Sequence, residues 1–241
     1  WVTPDSPRAQ KEEFKAFLKA ARKRSQLMGS PRPSSTRRLQ EEWMDLHPPG
    51  QLEYRESLSP EGEYGQWLRT LPIVVVVDDV LFLHGGLHPA VAGNPPAVIS
   101  ARAHDEISRA NECRVALEEA GYLTRSSSGT DLIQTGVALV RSLREKQERR
   151  ATLGEQEASL LETIERCEDY EDWYLLHPDG PLWFRGYAEP RGSRFGWSNE
   201  EGLAKIQAVL EAQGVRAAVV AHTPQARGLI IYNPALPGRD L

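Results

Sequence analysis

The stretch that most constrains this chain runs from Leu71 to Pro89 and reads LPIVVVVDDVLFLHGGLHP. Its β-branched run, Ile73 to Val77, is typical of a strand that is buried on both faces. The Asp-Asp pair at 78–79 predicts a tight turn, after which residues 80–83 return as the second strand of a hairpin. His84 follows that strand and precedes two glycines, which permit backbone conformations closed to other residues. The stretch therefore predicts a hairpin that presents a histidine, turned outward, at one edge of a sheet.

A second histidine, His222, has a similar setting 138 residues further along the chain. Val215 to Val220 reads as a buried strand, and the segment AHTP follows it. A strand fixes the Cα of such a histidine while the loop lets its ring turn toward the sheet edge, which suits a metal ligand. A single histidine is more often an ordinary hydrogen-bonded residue. Two imidazoles alone would hold a catalytic metal poorly, because such sites have at least three protein ligands.

Length and composition set wide bounds on the class of protein. The 241 residues suffice for one large domain or two small ones, and 40% hydrophobic and 26% charged residues are ordinary for a globular protein. The net charge of −5 and the absence of an apolar run of roughly 20 residues lead us to expect neither nucleic acid nor membrane as a partner. Cys113 and Cys167 require no disulfide framework and lack the spacing of a metal site. No signal pattern is visible, so the compartment stays open, with the cytoplasm as the default expectation.

Apolar periodicity predicts helices that alternate with the strands, which favours a layered α/β sandwich. Two of them begin with possible capping boxes, Thr152 with Glu155 and Ser198 with Glu201. A last short strand is expected at Leu229 to Tyr232. The helices are predicted at Gln10–Leu27, Glu41–Leu46, Gly62–Thr70, Ala101–Ala120, Thr130–Glu148, Thr152–Cys167 and from Ser198 toward Gly214.

The first predicted helix lies in a basic stretch, residues 8–38, which carries ten Lys or Arg against Glu12 and Glu13. Such a face could touch RNA or anionic lipid, and RNA binding would then depend steeply on salt. The ordinary interpretation of a charge run is a solvated helix face. Both alternatives remain open at the level of the sequence.

Three strings together resemble the second half of a calcineurin-like metallophosphoesterase. They are LFLHGGLHP, PLWFRGY and VVAHTPQ, in this order, and the first and last follow apolar strands. The chain is most similar to the Shewanella-like branch of the phosphoprotein phosphatase superfamily, and the segment SPEGEYGQWLRTLP, Ser59 to Pro72, resembles the same branch. The resemblance covers roughly Tyr54 to Pro224.

The resemblance implies a hydrolase with a two-metal site that acts on a phosphorylated protein or a small phosphomonoester. In that family the two divalent metals, manganese, iron or zinc, activate a bridging water that attacks phosphorus. By position, His84 and His222 correspond to metal ligands and Arg185 to an arginine that contacts phosphate. The planar fork of arginine suits a phosphate group better than lysine does. The alternative for Arg185 is a surface ion pair.

The chain departs from the family in lacking its first three motifs, GDxHG, GDxxDRG and GNHE. No Gly-Asp or Asn-His pair occurs, and the Trp-Val-Thr at 1–3 resembles the segment that follows GNHE. His88 stands where the family often has serine, and Ala221 stands where the branch often has glycine. We expect His88 at the surface rather than as a further metal ligand, and the same holds for His47, His104 and His177.

These departures lead us to expect a fragment. The predicted fold is a calcineurin-like β-sandwich flanked by helices, with its N-terminal portion missing, forming one partial domain over 1–241 with a helical insertion at 129–176. We expect such a chain to be inactive alone, and no catalytic residue is assigned within it. The alternative from another class is a catalytically dead interaction module on the same fold, which would use the basic helix on a partner.

Overall fold

The structure, a computed structural model, describes residues 1–30, 36–187 and 200–222. The strand predicted at Leu229 to Tyr232, the predicted capping residue Ser198 and residues 31–35 lie outside the described residues. Within them the chain forms two compact units. The helical unit comprises Trp1–Thr70 and Ser108–Asp169, and the sheet unit comprises Leu71–Ile107 with the residues from Tyr170 onward.

Apart from the helix Gln51–Ser57 and the short helix Tyr170–Asp172, which were not predicted, the described elements follow the predicted order with shifted boundaries. The predicted single domain over 1–241 with an insertion at 129–176 stays a prediction, although that stretch is indeed mostly helical. The described elements are α1 Ser6–Leu27, α2 Thr36–Leu46, α3 Gln51–Ser57, α4 Glu63–Leu68, β1 Val74–Val77, β2 Val80–Leu83, α5 Pro96–Glu119, α6 Gly129–Glu148, α7 Glu155–Glu165, a short 3-10 helix Tyr170–Asp172, α8 Glu200–Ala212 and β3 Ala217–Val220.

Helix α6 begins with a cap that was not predicted, and α7 begins later than its predicted cap. Ser128 and Asp131 form a reciprocal capping box at the start of α6. The capping box predicted for Thr152 is wrong, because α7 begins later, after Gly154. The Glu157 carboxylate accepts the Gly154 N–H at 3.0 Å and also binds Lys146, which fixes the start of the helix there.

A hairpin and one crossover build the described sheet, whose strand order is β1-β2-β3. Strands β1 and β2 pair antiparallel, as predicted, and β3 pairs parallel to β2. Asp78 and Asp79 have φ of 49° and 61°, so both central residues of the turn are left-handed. That geometry is the hairpin turn whose twist matches the strands, and it favours short polar residues such as aspartate.

One face of this sheet is packed and the other is not covered by described residues. Val74 is 2% exposed, and it belongs to a core with β2, α8 and the residues after β2. Val75, Phe82 and Val219 form a row across the three strands on the opposite face, and each is about 40% exposed. The prediction that the valine run is buried on both faces is therefore wrong for the described chain, because no layer covers this second face. The core comprises Val74, Leu81, Leu83, Leu87, Ala92, Ile99, Tyr174, Ile206, Val209, Leu210 and Val215.

The helical unit has its own apolar core and a covalent link. Leu117 of α5 packs with apolar residues of α6 and α7. Cys113 and Cys167 form a disulfide between α5 and the turn after α7. This pairing was not predicted, because the cysteines are 54 residues apart and only packing brings their Cα atoms to 6.8 Å.

The basic helix α1 is amphipathic, as its pattern predicted. Phe14 and Ala20 are buried, and Phe14 packs against Trp43 of α2 at 5.4 Å between ring centroids. Lys11 and Lys15 are exposed on the other side of the helix. None of the helices within the described ranges combines the length and the apolar sequence that a membrane span requires.

We predict that Val74→Ala and Val75→Ala differ sharply in stability. Val74→Ala should lower the free energy of unfolding by about 2 kcal/mol, because it removes buried methyl groups and leaves a cavity. Val75→Ala should cost about 0.5 kcal/mol, because this side chain lies on the uncovered face. Denaturant unfolding measures both values. Equal losses in the two variants would contradict the one-sided packing of the sheet.

We predict that reducing the disulfide destabilises the chain by about 4 kcal/mol, the chain-entropy value for a closed loop of this length. Unfolding in denaturant with and without dithiothreitol measures the loss. A double variant, Cys113→Ser with Cys167→Ser, serves as the control and should not respond to the reductant. Two titratable thiols in the untreated native protein would refute the pairing.

Candidate functional site

The parallel pairing of β2 with β3 places His84 and His222 at the same edge of the sheet. Leu83 and Val220, the last residues of the two strands, are register partners. The Ala221 N–H donates to the His84 carbonyl oxygen at 2.9 Å, which extends the ladder by one bond. His222 then adopts a left-handed conformation with φ of 58°, which is uncommon for a residue other than glycine. Register and turn together set the position of both rings.

The two imidazoles lie in direct contact. His84 Nε2 and His222 Nδ1 are 2.9 Å apart, and the rings meet edge to face with centroids 4.9 Å apart. Two imidazole nitrogens that each lie about 2.1 Å from one metal ion are about 3.0 to 3.4 Å apart for ligand angles between 90° and 109°. The observed separation lies just below that range, so an ion at this position would take the place of the proton that the two nitrogens share.

Arg185, the third predicted site residue, reaches the same pair. Its Nη2 lies 3.1 Å from His222 Nε2. A guanidinium group only donates, so Nε2 is the acceptor and the hydrogen-bond pattern puts the ring proton on Nδ1, facing His84. Burial lowers the pKa of His222, and the nearby charge of Arg185 and the His84 ring lower it further. The structure thus brings together all three residues that the sequence singled out, and it favours a neutral His222.

The two glycines after His84 allow the Arg185 segment to approach. Neither has a positive φ, so the expectation that they turn His84 outward through special backbone conformations is wrong. The Gly85 N–H donates to the Pro181 carbonyl oxygen at 2.9 Å, and a Cβ atom at Gly85 would lie 2.7 Å from that oxygen. A Cβ atom at Gly86 would overlap the ring of Tyr187. The missing side chains leave room for residues 181–187 against the strand end.

Tyr187 closes the same contact from the other side. Its hydroxyl donates to the Leu87 carbonyl oxygen at 3.1 Å, and burial raises the pKa of the phenol well above its ordinary value. Phe184, 6% exposed, packs edge-on against the Tyr187 ring. The aromatic flanks of Arg185 therefore anchor its segment to the residues that follow β2.

Trp183 forms a wall of the site that sequence reasoning did not assign. Its ring meets His222 edge to face at 5.3 Å, and its Nε1–H donates to the Leu175 carbonyl oxygen at 2.6 Å. A cavity of about 370 Å³ lies beside Trp183 and Arg185, with Asp179 also on its lining. Its volume is within the range of small-ligand sites. The string PLWFRGY carried this signal, since it places an exposed tryptophan two residues before the arginine.

A buried carboxylate holds the segment that leads into this wall. Glu106 of α5 is fully buried, accepts the Leu175 N–H at 3.1 Å and pairs with Arg102 at 3.1 Å. Arg102 also donates to the Asp172 carbonyl oxygen at 2.8 Å and lies over the Tyr174 ring. The sequence signal for this pair is the spacing of four residues between Arg102 and Glu106 on a predicted helix. Such pairs are common on helix surfaces, so the spacing alone does not indicate a buried pair.

The remaining histidines lie away from His84 and His222 or make local contacts. His88 accepts the Ala90 N–H through Nδ1 and meets Phe184 edge-on. His47 stacks on Trp43, and His104 lies 3.0 Å from the Leu71 carbonyl oxygen. His177 accepts the Asp179 N–H. All four are partly buried rather than fully exposed, so the expectation of simple surface residues holds only in part.

The residues present do not by themselves make a two-metal centre. Within 1–30, 36–187 and 200–222, no group of three or more His, Cys, Asp or Glu could hold a metal ion. His84 and His222 supply two nitrogens, and no carboxylate of the described ranges joins them in a group that could hold a metal ion as the bridging carboxylates of such centres do. We therefore derive no reaction step through metals from these residues.

Comparison of the chain with protein-family models, with curated proteins and with solved structures found no match. The site therefore rests on its own geometry. It consists of the His84 and His222 rings in contact at the ends of two parallel strands, with the Arg185 guanidinium against His222. Trp183 forms an aromatic wall between His222 and the cavity.

We predict that Arg185→Gln raises the pKa of His222, because it removes a positive charge that disfavours the imidazolium. The shift is measured by NMR titration of the ring resonances. Arg216→Gln is the matched control, because it removes the same charge at the opposite end of β3 from His222. This variant should leave the pKa of His222 unchanged. An unchanged His222 pKa in the Arg185 variant would contradict the contact.

Proposed function

We propose that the protein is a metal-dependent phosphoesterase of the calcineurin-like type, acting on a phosphorylated protein or a small phosphomonoester. The observation that carries the proposal is the meeting of His84, His222 and Arg185 at one sheet edge. The family resemblance of the three sequence strings implies roles for these residues in one site. Two of them are 138 residues apart, and each is positioned by a different element.

The chemistry of the three side chains agrees with phosphate handling. A neutral imidazole has one nitrogen lone pair, which a divalent manganese, iron or zinc ion would accept in place of the N–H group that meets it in this structure. The guanidinium of Arg185 is exposed and presents further N–H donors beyond the one that His222 accepts. A phosphoryl group matches that planar fork in shape and charge. The cavity beside Trp183 offers room for the group that carries the phosphate.

Two observations support the proposal that this chain holds only part of the site. The motifs GDxHG, GDxxDRG and GNHE, which supply the other metal ligands in that family, do not occur in the sequence. Val75, Phe82 and Val219 form an apolar row on one sheet face, and no layer of described residues covers that face. A second sheet would cover this face in a β-sandwich. The 241 residues alone should then show no turnover.

The full-length gene product, purified with manganese, tests the proposal on p-nitrophenyl phosphate. We expect turnover that falls at least 100-fold in His84→Ala and in His222→Ala, since each removes a metal ligand. Arg185→Gln should mainly raise KM. His104→Ala, which removes a histidine outside the site, is the matched control and should keep the activity.

A different outcome would favour the interaction module. Turnover absent with manganese, iron and zinc, together with tight binding of a protein partner, would sink the enzyme proposal. The lack of a third metal-ligating group among the described residues is the observation that keeps this alternative in view. Turnover by the 241 residues alone, well above a His84→Ala control, would show instead that the site needs no further ligands.

A further inference from the structure

The helical unit contains a large cavity that the proposed function does not use. Its volume is about 1060 Å³, at the upper end of the range for small-molecule sites. Four arginines belong to its lining, from α3, from the end of α4, from α5 and from the loop before α6. They are Arg55, Arg69, Arg114 and Arg125, and the lining also contains Glu53, Glu56, Glu61 and Glu118.

The arginines differ in how their charge is compensated. Arg125 lies 3.7 Å from Glu13 and 3.6 Å from Glu56, so two carboxylates neutralise it. Arg55 pairs with no carboxylate among the described residues and donates instead to the carbonyl oxygens of Arg125 and Ser127. Carbonyl dipoles satisfy N–H groups but leave the net charge of Arg55 in place.

A second guanidinium meets Arg55 at the same oxygen. Arg114 Nη1 lies 3.1 Å from the Ser127 carbonyl oxygen, and Arg55 Nη1 lies 3.4 Å from it. Arg114 has Glu118 at 3.5 Å as its partner, and the two guanidinium groups share the Ser127 carbonyl oxygen. Burial lowers the pKa of Arg55 and repulsion from Arg114 lowers it further, whereas the charges of Glu13 and Asp131 raise it. Burial also raises the pKa of Glu118, which weakens it as a counter-charge.

We propose that this cavity binds a small molecule through a doubly charged oxyanion group, of the phosphate or phosphonate type, held between Arg55 and Arg114. Such a group accepts from both planar forks and removes their mutual repulsion. Leu52, Leu58 and Val115 line the same cavity and offer apolar surface to the remainder of the ligand. The site lies within the helical unit and is independent of His84, His222 and Arg185.

Isothermal titration of the 241-residue chain with inorganic phosphate at 0.15 M salt tests the oxyanion site. Arg55→Gln and Arg114→Gln should each weaken binding at least tenfold. Arg37→Gln removes the same charge from an exposed pair on α2 and should bind as the parent does. Arg185→Gln should also bind normally at this site, which separates it from the proposed phosphoesterase site.

Phenylphosphonate, which has no ester bond to hydrolyse, tests the apolar wall. It should bind at least threefold more tightly than inorganic phosphate, and Val115→Ser should reduce that advantage. Equal affinity for phenylphosphonate and inorganic phosphate would contradict the proposal, because it would show that the cavity binds the anion alone and not an organic ligand.

Folding of the variants is checked by circular dichroism, because Arg55 also holds two loop carbonyls. If Arg55→Gln does not fold, Arg55→Lys keeps the charge and loses the fork, and it should weaken phosphate at least threefold. The proposal is overturned by absent binding in the parent, by equal binding in Arg55, Arg114 and Arg37 variants, or by binding lost only in Arg185→Gln.

Discussion

The parallel pairing of β2 with β3 is the interaction on which the candidate site depends. β2 is hydrogen-bonded on both sides and β3 is bonded to β2, so the residues that follow these strands start from defined positions. Leu83 and Val220 are paired in register, and the bond from the Ala221 N–H to the His84 carbonyl oxygen extends that ladder. A slip of one residue would move every β3 side chain to the other face and separate the two histidines. The site is therefore a consequence of sheet register.

The second constraint is close approach of backbone to backbone beside His84. Gly85 and Gly86 leave no side chain in the space that Pro181 and Tyr187 occupy, and the segment that carries Arg185 lies there. Buried Glu106 fixes the chain upstream of it through the Leu175 N–H. Arg185 is thus held by packed aromatic and backbone contacts on both sides, although its own side chain is exposed. Such a frame favours ligand binding, because the segment that carries the guanidinium is already ordered in the folded state and loses little conformational entropy on binding.

Charge is distributed differently in the two units. In the sheet unit Arg185 contacts the His222 ring, whereas in the helical unit the guanidinium groups of Arg55 and Arg114 meet at one carbonyl oxygen. Several arginines of the helical surfaces, such as Arg37 and Arg38, pair with a glutamate one turn away. Such exposed pairs contribute little to stability, and a compensated arginine has little to offer an anion. Arg55 has no carboxylate partner among the described residues and lies against the cavity of the helical unit.

The sequence by itself determined the local structure: the Asp78-Asp79 turn, the hairpin, most of the helices and the placing of His84 and His222 after strands. It also singled out His84, His222 and Arg185 through their strings. These features follow from short-range periodicity and turn chemistry, which act within a few residues. Tertiary structure alone decided the contact between the histidines, the exposure of Val75, the disulfide and the Arg55–Arg114 pair. Each of these depends on register or packing between segments 50 or more residues apart, and no local pattern encodes that distance.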